Sequence, residues 1–165
     1  MTQDASTKDA RPPFHVTPYE PGQRAALADL WVASWAKTMP EIDFEARRPW
    51  FLGHFETLRQ TGAEILVAVP AETGARGGLP AGFVAIAPAT GYLDQLAVAP
   101  AFWGKGAAEV LMAAARQVSP AGIALDVNQD NPRAVAFYRR LGFAIAAEGR
   151  NPLSGRAIWR MEWKP

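Results

Sequence analysis

Residues Leu96 to Met112 read LAVAPAFWGKGAAEVLM, and no other stretch narrows the choice of folds as far. Strand-forming residues stop at Pro100, glycines follow at 104 and 106, and Ala108, Leu111, Met112 and Ala115 then recur at helical spacing. A strand that passes through a glycine turn straight into an amphipathic helix belongs to a layered arrangement of helices on a sheet. The turn also has chemical content. Gly104 and Gly106 lack a Cβ, and Ala107 and Ala108 are small, so a ligand can come close to the main chain. The helix that starts there turns unpaired N–H groups and the positive end of its dipole toward any anion. Small residues serve tight strand–helix packing equally well, so the loop alone leaves both readings open.

Around this unit the sequence alternates between the two periodicities. Phe14-His15-Val16 suits a short strand. Leu27, Leu30, Trp31 and Ser34, with Val32 and Trp35 beside them, mark one helix. Phe51, His54, Phe55 and Leu58 mark a second. Ile65 to Val69, Gly82 to Ala87 and Tyr92 to Ala99 read as strands, the first two joined by the turn-rich PAETGARGGLP at 70–80. After the helix closed by Pro120, Ile123, Leu125 and Val127 alternate as a strand. Asn131-Pro132 opens a helix that Gly142 ends, and Phe143 to Ala147 with Ala157 to Trp163 form a closing hairpin. The expected order is β-α-α-β-β-β-α-β-α-β-β. It describes an α/β (α+β) domain with a mixed, mostly antiparallel sheet of six to seven strands and about four helices.

Composition limits the chemistry. With 165 residues the chain suits one domain, here 14–165, behind a flexible leader at 1–13. The absence of cysteine excludes disulfides, thiolate nucleophiles and Cys-ligated metals. Only His15 and His54 supply imidazole, so no metal centre and no Ser-His-Asp engine is expected. Against 16 acidic side chains stand 17 Lys and Arg, a net charge of +1, which disfavours nucleic acid as a partner. The leader has no apolar stretch of the kind a secretory signal needs, and no apolar run spans a bilayer. The expectation is a cytoplasmic protein without membrane contact.

A second informative segment is DVNQDNPRAVAFYRRLGF, from Asp126 to Phe143. Asn131 suits a helix N-cap and Pro132 the first helical position, while Phe137 and Leu141 face a core. Tyr138 lies on that apolar face, where a packed residue with one satisfied hydroxyl is the ordinary outcome. The glycine turn fails the Walker A pattern, because no Ser or Thr follows Gly104-Lys105. It fails the dinucleotide fingerprint too, because Glu109 stands where Gly or Ala is wanted.

Taken together, the two segments resemble the GNAT-type N-acetyltransferase superfamily. Its acyl-CoA loop, Arg/Gln-x-x-Gly-x-Gly/Ala, is matched by Trp103-Gly104-Lys105-Gly106-Ala107-Ala108. Its downstream signature is similar to Asn131-x-x-Ala-x-x-Phe-Tyr138-x-x-Leu-Gly-Phe143. The sequence-level signal lies in residues 91–143, and residues 15–60 carry much less. The resemblance implies acetyl-CoA as co-substrate. Its pyrophosphate would rest on Gly104, Lys105, Gly106, Ala107 and Ala108, and its pantetheine along Leu96, Ala97 and Val98. Asn131 and Tyr138 would complete the cofactor site. The acetyl group would lie where the Tyr92–Ala99 strand splays from Ile123–Val127. One departure is plain: Trp103 replaces the usual Arg or Gln, which weakens phosphate binding unless Lys105 or Arg133 compensates.

The implied reaction is direct attack of a neutral amine on the thioester, with the Val98 N–H at the developing oxyanion. A thiol leaving group of pKa about 8.5 accepts a proton from a phenol of pKa about 10, and the resemblance gives that part to Tyr138. Asp94 is the candidate base, on the expectation that it shares a strand face with Tyr92, Leu96 and Val98. The other readings of Asp94 are a helix cap or an ion pair, and a bulge would reverse its parity. Trp31, Trp35 and Glu41 are candidates for the wall of the acceptor pocket, and His54 reads as a hydrogen-bonded packing residue. The acceptor would be a small-molecule or peptide amine, and a homodimer stays open. The alternative is a non-catalytic acyl-CoA-binding or sensing module, favoured by Trp103 and opposed by Tyr138.

Overall fold

A computed structural model describes residues 13–73 and 78–165. Apart from Pro13, the expected leader lies outside the described residues, as do residues 74–77 of the turn-rich connection. The elements are β1 (Phe14–Pro18), α1 (Arg24–Thr38), α2 (Arg48–Gln60), β2 (Glu64–Pro70), β3 (Gly82–Ala87), β4 (Tyr92–Val98), α3 (Ala107–Val118), β5 (Ile123–Asn128), α4 (Pro132–Arg140), β6 (Ala144–Arg150) and β7 (Ala157–Trp163). Their order is the one read from periodicity. Bounds differ mainly at β6, which continues to Arg150 because its register with β7 runs as far as Ala157.

All seven strands join one sheet in the order β1-β2-β3-β4-β5-β7-β6. Every neighbouring pair is antiparallel except β4 with β5. That exception follows from α3, because a helical crossover returns the chain parallel to the strand it left. The sheet separates two apolar layers. Leu27, Leu30, Trp31, Phe51 and Phe55 of α1 and α2 pack on Val67, Phe83 and Ala85. Leu111, Met112 and Ala115 of α3, with Tyr138 of α4, pack on Val84, Ile86, Leu125 and Val127. Alternate residues of β3 thus serve opposite layers, as a central strand buried on both faces requires.

Two local features of β4 create the site. First, its register with β3 moves from Ala85–Gln95 to Ile86–Leu93, leaving Asp94 as an extra residue. This bulge lets Leu93, Leu96 and Val98 all join the α3/α4 layer, although strict alternation would separate Leu93 from the other two. Asp94 therefore does not share a face with Leu96 and Val98. It faces α2, where it meets His54. Second, β4 and β5 are registered only at Tyr92–Ala124, next to an Ala124 N–H donated to Gly91 O at 3.0 Å. Beyond that pair the parallel strands have no further register, and the outer half of β4 borders a cleft.

Gly91 makes the single pairing possible. Its φ is +74°, and an added Cβ would lie 2.5 Å from the Gly122 carbonyl oxygen. Left-handed backbone costs an ordinary residue roughly 1–2 kcal/mol, and an overpacked contact about 1–3 more. Gly91→Ala is thus expected to lose about 3 kcal/mol and to lower the thermal midpoint by roughly 10 °C. A midpoint within about 2 °C of the parent would show that the strands relax apart without cost.

Candidate active site

The cleft begins at the turn between β4 and α3. Gly104 and Gly106 adopt φ of +73° and +94°, and a Cβ built on either meets nothing within 4 Å. Open space and a left-handed backbone together explain why glycine stands at both positions. Gly106 caps α3 without a side-chain hydrogen bond, and the first α3 bond runs from the Val110 N–H to Gly106 O. The N–H groups of residues 106–109 find no partner among the described residues, so the turn presents several donors to the cleft. The orphaned donors and the space above the glycines fit a phosphate-bearing ligand such as acetyl-CoA.

From the turn the cleft extends along β4, with a volume of about 610 Å³. Leu96, Val98, Trp103, Gly104, Gly106, Ala107, Ala108, Asn131 and Tyr138 all line it. Ala97 does not, because alternation sends its side chain into the α1/α2 layer. Lys105 is absent from the lining as well, its ammonium lying 6.0 Å from the Phe102 ring centre. The Ala99 N–H is donated to Ala81 O beyond β3, so by strand alternation the Val98 N–H points toward the cleft. Asn131 accepts from the Ala134 N–H at 3.2 Å, capping α4 as its sequence context suggests.

Tyr138 is held by α4 with its ring edge-on to Phe137 and Phe143, and only 8% of it is exposed. Burial alone pushes its phenol pKa above the usual value, so the group stays protonated. Its hydroxyl makes no hydrogen bond to any described residue, yet it borders the cleft. The ring is buried, while the hydroxyl is left for a ligand in the cleft to meet.

The α1/α2 side of the bulge carries a second constellation. His54 Nε2 lies 2.7 Å from Asp94 Oδ1, and the imidazole stacks on Trp50 at 4.8 Å and 12°. Gln95 donates to the same Asp94 oxygen at 3.0 Å, and the Trp31 indole N–H donates to Gln95 at 3.2 Å. Asp94 is thus found with a side-chain partner on α2 and does not cap a helix. His54 is hydrogen-bonded as expected, and its partner lies forty residues away. On β5, Asp126 takes a two-pronged bond from Arg160 at 2.6 and 3.1 Å and another from the Tyr92 hydroxyl at 2.9 Å. Burial, then this carboxylate, pushes the Tyr92 pKa up.

The three residues expected on the acceptor wall separate. Trp35 and Glu41 line the cleft. Trp31 is 4% exposed, stacked on Phe51 within the core, and meets the second constellation through Gln95 and the Trp50 ring. Glu41 lies 3.8 Å from Arg156, which also bonds Asp130 at 2.7 Å, tying the α1–α2 loop to the β6–β7 loop. Trp103 donates its indole N–H to Val98 O at 2.8 Å. Arg133 of α4 and Lys37 of α1 lie 4.4 and 4.9 Å from its ring centre. Arg133 is one of the two cations named from the sequence, and it lies beside Trp103. Lys37 was not legible in sequence, since only the fold brings the end of α1 to this loop.

Comparison with known proteins finds the same fold. YjaB from Escherichia coli superposes with a TM-score of 0.71 at 20% identity, over 91% of this chain and 97% of that one. The PaiA N-acetyltransferase of Thermoplasma acidophilum, solved with coenzyme A, gives 0.71 at 16% identity, over 92% and 99%. YncA of Salmonella typhimurium, solved with its cofactor acetyl-CoA, gives 0.66 at 16%, over 92% and 93%. At these identities the likeness establishes the fold. No curated protein matches the chain in sequence. The profile of the Acetyltransferase (GNAT) family matches residues 24–143, which hold α1, the bulged strand, the glycine turn and Tyr138. The chain belongs to the GNAT acetyltransferase family.

Proposed function

We propose that residues 14–165 form an N-acetyltransferase domain that passes the acetyl group of acetyl-CoA to a primary amine by direct attack in a ternary complex. The observation that carries this reading is the Tyr138 side chain, its ring buried and its hydroxyl without a partner among the described residues, on a cleft that starts at orphaned N–H donors. The coenzyme A and acetyl-CoA in the PaiA and YncA structures support the same co-substrate. Acetyl-CoA supplies an acyl group already activated as a thioester. Donors at 106–109 hold its pyrophosphate, and the cleft-facing backbone of Leu96 and Val98 aligns its arm. The Val98 N–H offers a bond to the carbonyl oxygen as negative charge develops there. Tyr138 gives its proton to the departing sulfur and regains one from solvent.

The proton that the amine must lose is assigned to Asp94, which does not itself line the cleft and is hydrogen-bonded to His54. Trp35 and Glu41 bound the acceptor's route, Glu41 adding negative charge that favours an ammonium group. Trp31 positions Gln95, and through it Asp94, from the core. Asp94→Asn is expected to reduce kcat/KM by about a hundredfold and to change the shape of its pH profile. A profile with both limbs unaltered would remove Asp94 from the reaction.

The competing reading, a non-catalytic acyl-CoA-binding module, draws on Trp103 standing where the family usually has Arg or Gln. Thiol release from acetyl-CoA across amino acids, polyamines, aminoglycosides and peptide amines separates the two. Turnover with at least one amine is expected. Acetyl-CoA binding without turnover on any of them would favour the binding module.

A further inference from the structure

We propose that Trp103 is the base of an anion site in which Lys37 and Arg133 hold phosphate of the co-substrate, a site that rests on the acetyl-CoA reading of the cleft. The indole cannot turn freely, because its N–H is donated to Val98 O at 2.8 Å. So fixed, it carries the Arg133 guanidinium at 4.4 Å and the Lys37 ammonium at 4.9 Å, close enough for the ring to attract both cations. The three side chains line the same cleft as Gly106 and Ala108, whose backbone donors lie at its phosphate end.

The charges of this cleft are unevenly matched. Glu41 and Asp130 also line it, but both pair with Arg156, at 3.8 and 2.7 Å. Among the described residues neither Lys37 nor Arg133 makes an ion pair or a hydrogen bond. The remaining carboxylate, Glu109, sits in the first turn of α3, where the helix dipole favours it. Arg133 occupies the opposite situation. It lies in the first turn of α4, which has no acidic residue, so its charge faces the positive end of a helix. A cation held at an unfavourable helix end, without a carboxylate, breaks a local rule in the way functional positions do. An incoming phosphate relieves it.

Geometry favours the same ligand chemistry. A guanidinium lying over an aromatic face keeps its in-plane N–H edge free, and that edge matches two phosphate oxygens. Lys37 and Arg133 come from α1 and α4, so the ring brings cations from both walls of the cleft to one place. The charge that position 103 itself lacks is thereby gathered from α1 and α4.

Calorimetry on the full chain tests this with coenzyme A, dephospho-coenzyme A and acetyl-pantetheine, which has no phosphate. Lys37→Ala and Arg133→Ala are each expected to weaken coenzyme A binding about tenfold, and the double variant about a hundredfold. Acetyl-pantetheine binding should stay within about twofold, and added salt should weaken coenzyme A less in the double variant than in the parent. An equal loss with dephospho-coenzyme A assigns the pyrophosphate as the anion held; a loss confined to coenzyme A assigns the 3′-phosphate. Trp103→Leu, which removes the π-face but keeps an apolar side chain, should cost about tenfold. Coenzyme A affinity within about twofold of the parent in the double variant would overturn the site. A Trp103→Leu variant that binds like the parent would overturn the part given to the ring. If the parent itself fails to bind coenzyme A, the acetyl-CoA reading fails instead.

Discussion

Tyr138→Phe is expected to lower kcat by about a hundredfold or more, while acetyl-CoA affinity stays within about twofold and the thermal midpoint does not fall. The substitution removes one oxygen and leaves the ring edge-on to Phe137 and Phe143. Because that hydroxyl has no partner among the described residues, its loss breaks no hydrogen bond and strands no buried group. What disappears is the proton donor to the sulfur, and a positioned general acid contributes about 10²–10⁴ in rate. Burial sets the pH behaviour as well. Since the phenol pKa is raised, the hydroxyl keeps its proton through neutrality, so an alkaline limb due to Tyr138 belongs above the ordinary phenol range. Unchanged kcat would return Tyr138 to a packing role. A midpoint several degrees lower would mean that the hydroxyl does have a partner in the fold.

The second large effect belongs to the glycine turn. Gly106→Asp is expected to weaken acetyl-CoA binding by at least about a hundredfold, with far less effect on stability. At φ of +94° most residues are strained, but Asp and Asn are among those that tolerate the left-handed region best. A side chain there has room, since a Cβ meets nothing within 4 Å. The cost therefore falls on the ligand. A carboxylate beside the free N–H groups of residues 106–109 repels a pyrophosphate and competes for the same donors. Gly106→Asn separates charge from strain, since it keeps the backbone demand and lacks the charge. It should lose much less affinity. Equal losses in the two variants would show that backbone geometry, not the anion-binding donors, governs the turn.

The sequence read this fold well because its elements are written in local periodicity. Leu111, Met112 and Ala115 repeat at helical spacing, Leu125 and Val127 at strand spacing, and the structure buries each where that spacing puts it. The cofactor turn was legible for a similar reason: Gly104, Gly106 and the start of α3 are adjacent in the chain. Asp94 was misplaced because a bulge is a property of two strands. Nothing within Tyr92–Val98 says that β3 will pair Ala85 with Gln95 and Ile86 with Leu93. The His54–Asp94 contact and the approach of Lys37 to Trp103 likewise join residues far apart in sequence. Trp31 and Trp35 lie on one stripe of α1, and periodicity cannot say that the first meets Phe51 in the core while the second reaches the cleft.

The central claim is transfer straight from thioester to amine, with Tyr138 protonating the sulfur and no acyl group resting on the protein. Rapid quenching of the protein with acetyl-labelled acetyl-CoA and an amine it turns over tests that directly. Label is expected in the N-acetylated amine at the rate at which thiol is released, with none on the protein, and Tyr138→Phe is expected to slow both equally. Label on the protein, or thiol release that does not depend on the amine, would contradict it.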